Sequence, residues 1–182
     1  MKFIPASIED VFIVEPELFS DSRGWFARTY CKTEFKEIGH TKEWVQINHS
    51  FTVNKGAIRG MHYQVPPHSE IKLIRCISGA AWDVAIDLRK NSDTFLKWVS
   101  VELTAANKKM IYIPEAFAHG FQALTDNCEL IYHHSSFYAK EAERGIRYDD
   151  PMVAIKWPLP VTDISERDLS HTLLDKTFKG IL

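Results

Sequence analysis

Residues 71–89, IKLIRCISGAAWDVAIDLR, follow RGMHYQ (59–64) across a proline pair, and their pattern decides the fold class. On either side of a Ser78-Gly79 break the side chains alternate. Trp82, Val84, Ile86 and Leu88 share one face, and Asp83, Asp87 and Arg89 share the other. A period of two marks a strand, because successive side chains point to opposite faces. Two such runs around a Ser-Gly turn predict a half-buried hairpin of 71–77 with 81–89. More short runs follow at strand-length spacing: VFIV from Val11, WVQIN from Trp44, WVSVEL from Trp98, IYI from Ile111 and ELIY from Glu129. Without long helical patterns between them, these favour a sandwich or barrel over alternating strands and helices. Helix is expected in KTEFKEIG (32–39) and in the tail from Ser165, where SERD has capping-box spacing ahead of Leu169, Leu173 and Leu174. The expectation is a mainly β fold with a short helical C-terminal tail.

The 182 residues are 45% apolar, enough for one domain with a substantial core, and no linker or repeat divides them. Lys and Arg are scattered and the net charge is -2. No basic stripe tracks a phosphate backbone, so nucleic acid is not an expected partner. The opening MKFIPASIED lacks an apolar leader, and no later run approaches the length of a membrane span, so a cytoplasmic protein with no membrane partner is expected. Cys31, Cys76 and Cys128 are odd in number and far apart, which reads as buried thiols rather than a disulfide framework or a zinc site.

In VQINHSF (45–51), Gln46, Asn48 and Ser50 point one way while Val45, Ile47 and Phe51 point the other. The polar set is either a solvent face or the lining of a barrel that encloses a ligand. Histidines stand in RGMH, FAHGF and YHHS, an arrangement that raises the metal-binding cupins, jelly-roll barrels that hold an ion with His-x-His, a glutamate and a later histidine. Here the first slot reads His62-Tyr63-Gln64, so one ligand is lost, although His119 stands where a later one would. Two imidazoles with an amide and a lysine make a poor divalent site, and neither metal nor cofactor is expected. Taken singly, His62 reads as a structural histidine, Asp168 as the acid of the capping box, Lys72 as a solvated strand residue, and Tyr132 and Tyr138 as ordinary aromatics. His133 and His134 are adjacent on a strand, face opposite ways, and read as structural.

Taken in order, the motifs say more. DSRGWF from Asp21, QINHS from Gln46, RGMHYQ from Arg59, KLIRC from Lys72, DVAIDLR from Asp83, FAHGF from Phe117, the segment Tyr132 to Tyr138, ERGIR from Glu143 and DDP from Asp149 resemble the motif series of the dTDP-4-dehydrorhamnose 3,5-epimerases and their nucleotide-sugar relatives. The likeness runs over residues 10–170. It implies a metal-free, cupin-like jelly-roll barrel, a single domain over 1–182, and a homodimer in which residues around 21–28 reach the neighbour's site. It also implies that Gln46 and Asn48 line the barrel. The implied reaction is epimerisation at C3 and C5 of a nucleoside-diphosphate 4-keto-6-deoxyhexose, by enolate formation and reprotonation.

That chemistry needs a base for the α-proton, a group to stabilise the enolate oxygen, and an acid on the opposite face. By the resemblance, His62 is the base, Asp168 holds its tautomer, Lys72 faces the enolate and Tyr132 is the acid, with His119 beside the reacting centre. Arg59 would take the diphosphate, and Arg23, Gln46, Ile47 (through its backbone) and Asn48 the nucleotide or sugar. Glu143 and Arg167 would stand at the edge, and Tyr138 would stack on the base.

One position departs from the series. The family's early motif runs D-x-R-G-x-F-x-E, and this chain has Arg28 where the glutamate would help hold the base. A guanidinium only donates, so recognition there reverses its polarity, and the nucleotide is left open between thymidine and others. Two other functions stay open on the motifs: an epimerase acting at C3 or C5 alone on a differently linked sugar, and a non-catalytic cupin that binds nucleotide sugars.

Overall fold

The structure, a computed structural model, describes residues 1–181. Its strands are β1 (Lys2–Pro5), β2 (Phe12–Glu15), β3 (Leu18–Asp21), β4 (Gly24–Ala27), β5 (Gln46–Thr52), β6 (Ile58–Gln64), β7 (Lys72–Ser78), β8 (Ala80–Asp87), β9 (Trp98–Thr104), β10 (Met110–Ile113), β11 (Phe117–Ala123), β12 (Cys128–His134) and β13 (Glu143–Gly145). Two helical turns, α1 (Lys32–Phe35) and α2 (Glu166–Leu169), complete the set. One sheet runs β1-β2-β10-β7-β12-β5 and the other β13-β6-β11-β8-β9, while β3 and β4 form a separate hairpin. All the strand pairs are antiparallel, and the two sheets wrap a shared interior as a jelly roll.

The segment 71–89 forms two strands but not a hairpin. β7 pairs with β10 and β12, whereas β8 pairs with β11 and β9 in the other sheet. Gly79, at φ +71°, turns the chain from one sheet to the other. A period of two is the same on either side of a hairpin or a corner, so alternation alone does not separate them. Nor is β8 half-buried: Asp83 and Asp87 are fully buried, like Val84 and Ile86 on the other face.

This double burial comes from a layered build. Between the sheets lies a core of Ile74, Ala85, Leu103, Phe117, Phe121 and Leu130. Outside the six-stranded sheet, Leu73, Met110 and Tyr112 pack under Phe35, Tyr30 and Trp44 from the N-terminal region. Outside the five-stranded sheet, Met61, Val84 and Ile86 pack under Trp157, Leu174 and Phe178 from the tail. Each large side chain so buried stabilises the fold by about 1.5–3 kcal/mol. Cys76 and Cys128 lie in the inner core and Cys31 is half-buried, all three as free thiols.

The helical expectations hold in place but not in length. α1 passes into a 3-10 turn (Lys36–Ile38) that ends at Gly39, and α2 is a single turn. Leu169 and Leu173 remain exposed; only Leu174 reaches the core, where its N–H donates to Asp150 Oδ2 at 2.6 Å. Pinned there and at Asp168, the tail leaves the helical path before a second turn forms. Among the described residues, no helix is long and apolar enough to cross a membrane.

One irregularity sets up the pocket. His62 pairs with His119, but the β6–β11 register shifts between His119 and Phe121. At the shift Gly60 has φ +124°, and a Cβ on it would stand 2.6 Å from Gly120 Cα. The irregularity changes the parity of β6, so that Arg59 and His62, which would face opposite ways on a regular strand, line the same pocket. Gly60→Ala should therefore lower stability by roughly 1–3 kcal/mol. A drop of several degrees in the melting temperature by circular dichroism checks this, and an unchanged melt contradicts it.

Candidate active site

Above the inner core the two sheets part around a cavity of about 800 Å³. β6 and β11 supply one wall, with Arg59, His62 and His119, and β5, β7 and β12 supply the facing wall, with Gln46, Asn48, Lys72 and Tyr132. The tail closes the rim with Arg167 and Asp168.

Asp168 reaches His62 from 106 residues away, with Oδ1 2.7 Å from Nε2, while Oδ2 accepts from Gly60 N at 3.2 Å. Both oxygens are thus used on β6, and only half of the expected capping box forms: Ser165 Oγ accepts from Asp168 N at 3.1 Å. Burial works to raise the Asp168 carboxyl, but the hydrogen bond and charge of His62, the Gly60 N–H and the Arg167 guanidinium outweigh it and bring it down to about 2. A carboxylate against Nε2 keeps the hydrogen on that nitrogen and leaves the lone pair on Nδ1. Arg167 also lies close, 3.1 Å from His62 Nε2 and 3.4 Å from Asp168 Oδ1. Since Nε2 cannot donate and accept at once, the shorter, charge-assisted bond to Asp168 sets the tautomer.

On the facing wall, Tyr132 exchanges a hydrogen bond with Ser50 Oγ at 2.9 Å, and burial pushes its phenol well above the ordinary range. It therefore keeps its proton. Lys72, which the sequence suggested was solvated when taken singly, is 5% exposed. Its Nζ donates to His62 O at 3.2 Å, spanning the two sheets, and stands 3.2 Å from Glu70 Oε1. His119 Nε2 donates to both oxygens of Asp83 at 3.0 Å. Burial raises the Asp83 carboxyl and lowers the His119 imidazolium, while each attracts the other's charged form.

Gln64, at the position of the lost metal ligand, is spent on the backbone. Its Nε2 donates to His68 O and Phe137 O, and its Oε1 accepts from Ala139 N at 2.7 Å. These bonds hold the loop that carries Tyr138, whose hydroxyl donates to Glu143 Oε2 at 3.0 Å; Arg167 donates to Glu143 Oε1 at 3.2 Å. Arg59 gives Nε to Thr52 Oγ1 and Nη2 to Phe51 O, both at 3.0 Å, which aims the guanidinium along the wall. One further group has the donor types of a metal centre: His62, Asp168 and His171 carry ligand atoms within 4.8 Å of one another. A cation there would have to displace both the Nε2 hydrogen and the Arg167 guanidinium.

A family model described as dTDP-4-dehydrorhamnose 3,5-epimerase matches residues 5–176. The chain belongs to that family. Within the epimerase family, a relative from Shigella flexneri named dTDP-4-dehydrorhamnose 3,5-epimerase is 45% identical over 93% of this chain and 94% of its own. A Streptomyces niveus relative, 35% identical over 96% of this chain and 84% of its own, is named dTDP-4-dehydrorhamnose 3-epimerase. Among solved structures, a Legionella pneumophila 3,5-epimerase in complex with dTDP-4-keto-L-rhamnose superposes with a TM-score of 0.92 at 35% identity, covering 100% of this chain and 98% of that one.

Of the residues singled out from sequence, His62, Lys72, His119, Tyr132, Asp168, Gln46, Asn48, Arg59, Tyr138, Glu143 and Arg167 all border the cavity. Two do not. Arg23 sits on the β3–β4 turn, exposed and paired with Asp21 at 2.6 Å, and the Ile47 side chain points outward from β5. Arg28, which replaces the epimerase family's glutamate, pairs with Glu34 at 2.9 Å and is also outside the cavity. Glu70, Asp83 and His134 were not among the candidates. Of these His134, read as structural, borders the cavity with Glu70. The signal was available for His134: on β12 it shares the parity of Tyr132.

A depressed Asp168 contributes stability above its unfolded value of about 3.8, and that contribution is lost as the pH falls toward 2. The contribution is about 2 kcal/mol. Asp168→Asn should therefore be less stable than wild type at neutral pH and show a flatter acid limb. Urea melts at pH 7 and pH 2.5 check the sign, and parallel losses in both proteins contradict it.

Proposed function

We infer that the protein is an isomerase that epimerises C3 and C5 of a dTDP-4-keto-6-deoxyhexose, of the dTDP-4-dehydro-6-deoxyglucose to dTDP-4-dehydrorhamnose type. The observation that carries this reading is the placement of His62 and Tyr132 on opposite walls of one cavity. A sugar ring held between them offers one face to a base and the other to an acid, which inversion at carbon requires.

In this reading His62 Nδ1 takes the proton beside the ketone, while Asp168 orients the ring and stabilises the imidazolium that forms. The electrons of the broken C–H bond shift into a carbon–carbon double bond, and the carbonyl oxygen becomes an enolate oxygen facing the Lys72 ammonium. The double bond collapses, carbon takes the Tyr132 proton on the opposite face, and the phenolate and imidazolium re-equilibrate with solvent. His119 packs beside this centre, Arg59 binds the diphosphate, Gln46 and Asn48 hold nucleotide or sugar, and Tyr138 stacks on the base with Glu143 and Arg167 at the rim. No residue in this scheme requires a metal or cofactor.

Working as one domain in the cytoplasm, the chain pairs with a second copy in this reading. Its β3–β4 hairpin carries Phe19 and Phe26 at 58% and 70% exposure, with Arg23 at the turn. An apolar arm of this kind favours an isologous partner, and it would bring Arg23 and Arg28 near a neighbour's site, while the backbone at Ile47, between Gln46 and Asn48 on β5, serves this chain's own cavity.

A second reading, epimerisation at C3 alone, is favoured by the name of the Streptomyces niveus relative. NMR with dTDP-4-keto-6-deoxyglucose in deuterated water separates the two. Loss of both the C3 and C5 proton signals is the expected result, loss of C3 alone selects the 3-epimerase, and loss of neither, here and with ketosugars on other nucleotides, leaves a binding protein. Tyr132→Phe should lower formation of the inverted product by roughly 10²–10⁴-fold while His62 still exchanges deuterium with retention. Normal inversion by that variant would remove Tyr132 as the acid.

A further inference from the structure

The facing wall of the cavity contains a chain of hydrogen bonds in which every donor points the same way. Tyr138 N donates to Gln46 Oε1 at 3.1 Å, and Gln46 Nε2 donates to Asn48 Oδ1 at 3.2 Å. Asn48 Nδ2 then lies 3.3 Å from His134 Nε2, and His134 Nδ1 lies 2.8 Å from Glu70 Oε2. Lys72 approaches the other carboxylate oxygen at 3.2 Å. The Glu70 and His134 side chains are each 10% exposed. Burial works to raise the Glu70 carboxyl, but the charge of Lys72 and the bond to His134 bring it down to about 2, so the chain ends on an anion that only accepts.

That ending fixes the sense of everything before it. A carboxylate at Nδ1 keeps the imidazole hydrogen there, so neutral His134 presents its lone pair at Nε2. Asn48 can meet a lone pair only with its amide nitrogen. Its oxygen must then face Gln46, which answers with its own nitrogen and leaves its oxygen for the Tyr138 N–H.

We propose that Glu70 and His134 are positioning residues for the reaction, an aligned relay that holds the Lys72 ammonium at one end and fixes the amide faces of Asn48 and Gln46 and the Tyr138 loop at the other. The proposal rests on the epimerase reading of the cavity. It gives one buried carboxylate two duties, placing the cation for the enolate and setting the donor and acceptor pattern offered to the nucleotide sugar.

Glu70→Gln keeps the shape and removes the anion. If the new amide oxygen faces Lys72, its nitrogen faces His134 and drives the imidazole hydrogen to Nε2. The polarity then reverses down the chain, until Gln46 meets the Tyr138 N–H with a second donor. His134→Phe keeps the ring that stacks on Tyr132, 6.2 Å between centroids, and cuts the relay in the middle.

Nitrogen-15 NMR of the ligand-free protein and steady-state kinetics on dTDP-4-keto-6-deoxyglucose test the proposal together. Expected are a hydrogen on His134 Nδ1 in wild type and on Nε2 in Glu70→Gln. KM should rise roughly three- to tenfold in each single variant. The kcat should fall roughly tenfold in Glu70→Gln, where Lys72 loses its counter-charge, and move less in His134→Phe. In the double variant the KM effects should not multiply, because a cut relay cannot transmit the reversal. A hydrogen on Nε2 in wild type, a KM within twofold of wild type in both single variants, or multiplicative effects in the double variant would overturn the relay. A wild-type protein that turns over no ketosugar would instead remove the epimerase reading, with the nitrogen signals still deciding the relay.

Discussion

A carboxylate taken out of water keeps its charge only where partners replace the solvent, and Asp168 meets that condition by bonding to His62 and to the Gly60 amide. Much else in the structure follows from this contact. It brings the tail back over β6, closes the rim of the cavity, sets the His62 tautomer and draws Arg167 to the mouth. The glycines on β6 and β11 belong to the same arrangement, since only a backbone without Cβ lets the Gly60 amide face the carboxylate while the strands lie so close.

The jelly-roll interior is divided by polarity along its strands. On β7, Lys72 faces the cavity while Ile74 and Cys76, two and four residues on, lie in the apolar core. On β12 the passage runs from Leu130 in the core to Tyr132 and His134 at the cavity. The buried titratable groups at this boundary come in pairs, Lys72 with Glu70 and His119 with Asp83, as a low-dielectric site demands. Each pair also orients a group that faces the cavity. The same contacts that allow burial thus orient these groups before any ligand arrives.

The strands were legible in the sequence because alternation and turn residues are local signals, and the runs beginning near Val11, Trp44, Trp98, Ile111 and Glu129 all became strands. The pairing of β7 with β8 was not legible, since a corner and a hairpin leave the same local pattern. Alternation also misjudged Asp83, whose face looked polar and therefore wet, because the partner that makes its burial tolerable is His119, 36 residues away. The gathering of His62, Lys72, Tyr132 and Asp168 came from the resemblance of the whole motif series. Taken one by one, each had an ordinary structural explanation. Arg59 and His62 share a wall through a register shift that no local pattern announces, and Glu70 stayed hidden because its worth lies in what it holds.

The tail does two jobs with one stretch of chain. Trp157, Leu174 and Phe178 shield the outer face of the five-stranded sheet, and between them Asp168 supplies the proposed partner of the base. This stretch has little regular structure, a single helical turn, and exposed leucines at 169 and 173. Segments of this kind open locally at a lower free energy than the sheets they cover. Fraying would carry the carboxylate away while the strands remain paired, so warming should silence the protein before it melts. The working temperature range is then set by how firmly the tail is fastened rather than by the strength of the barrel.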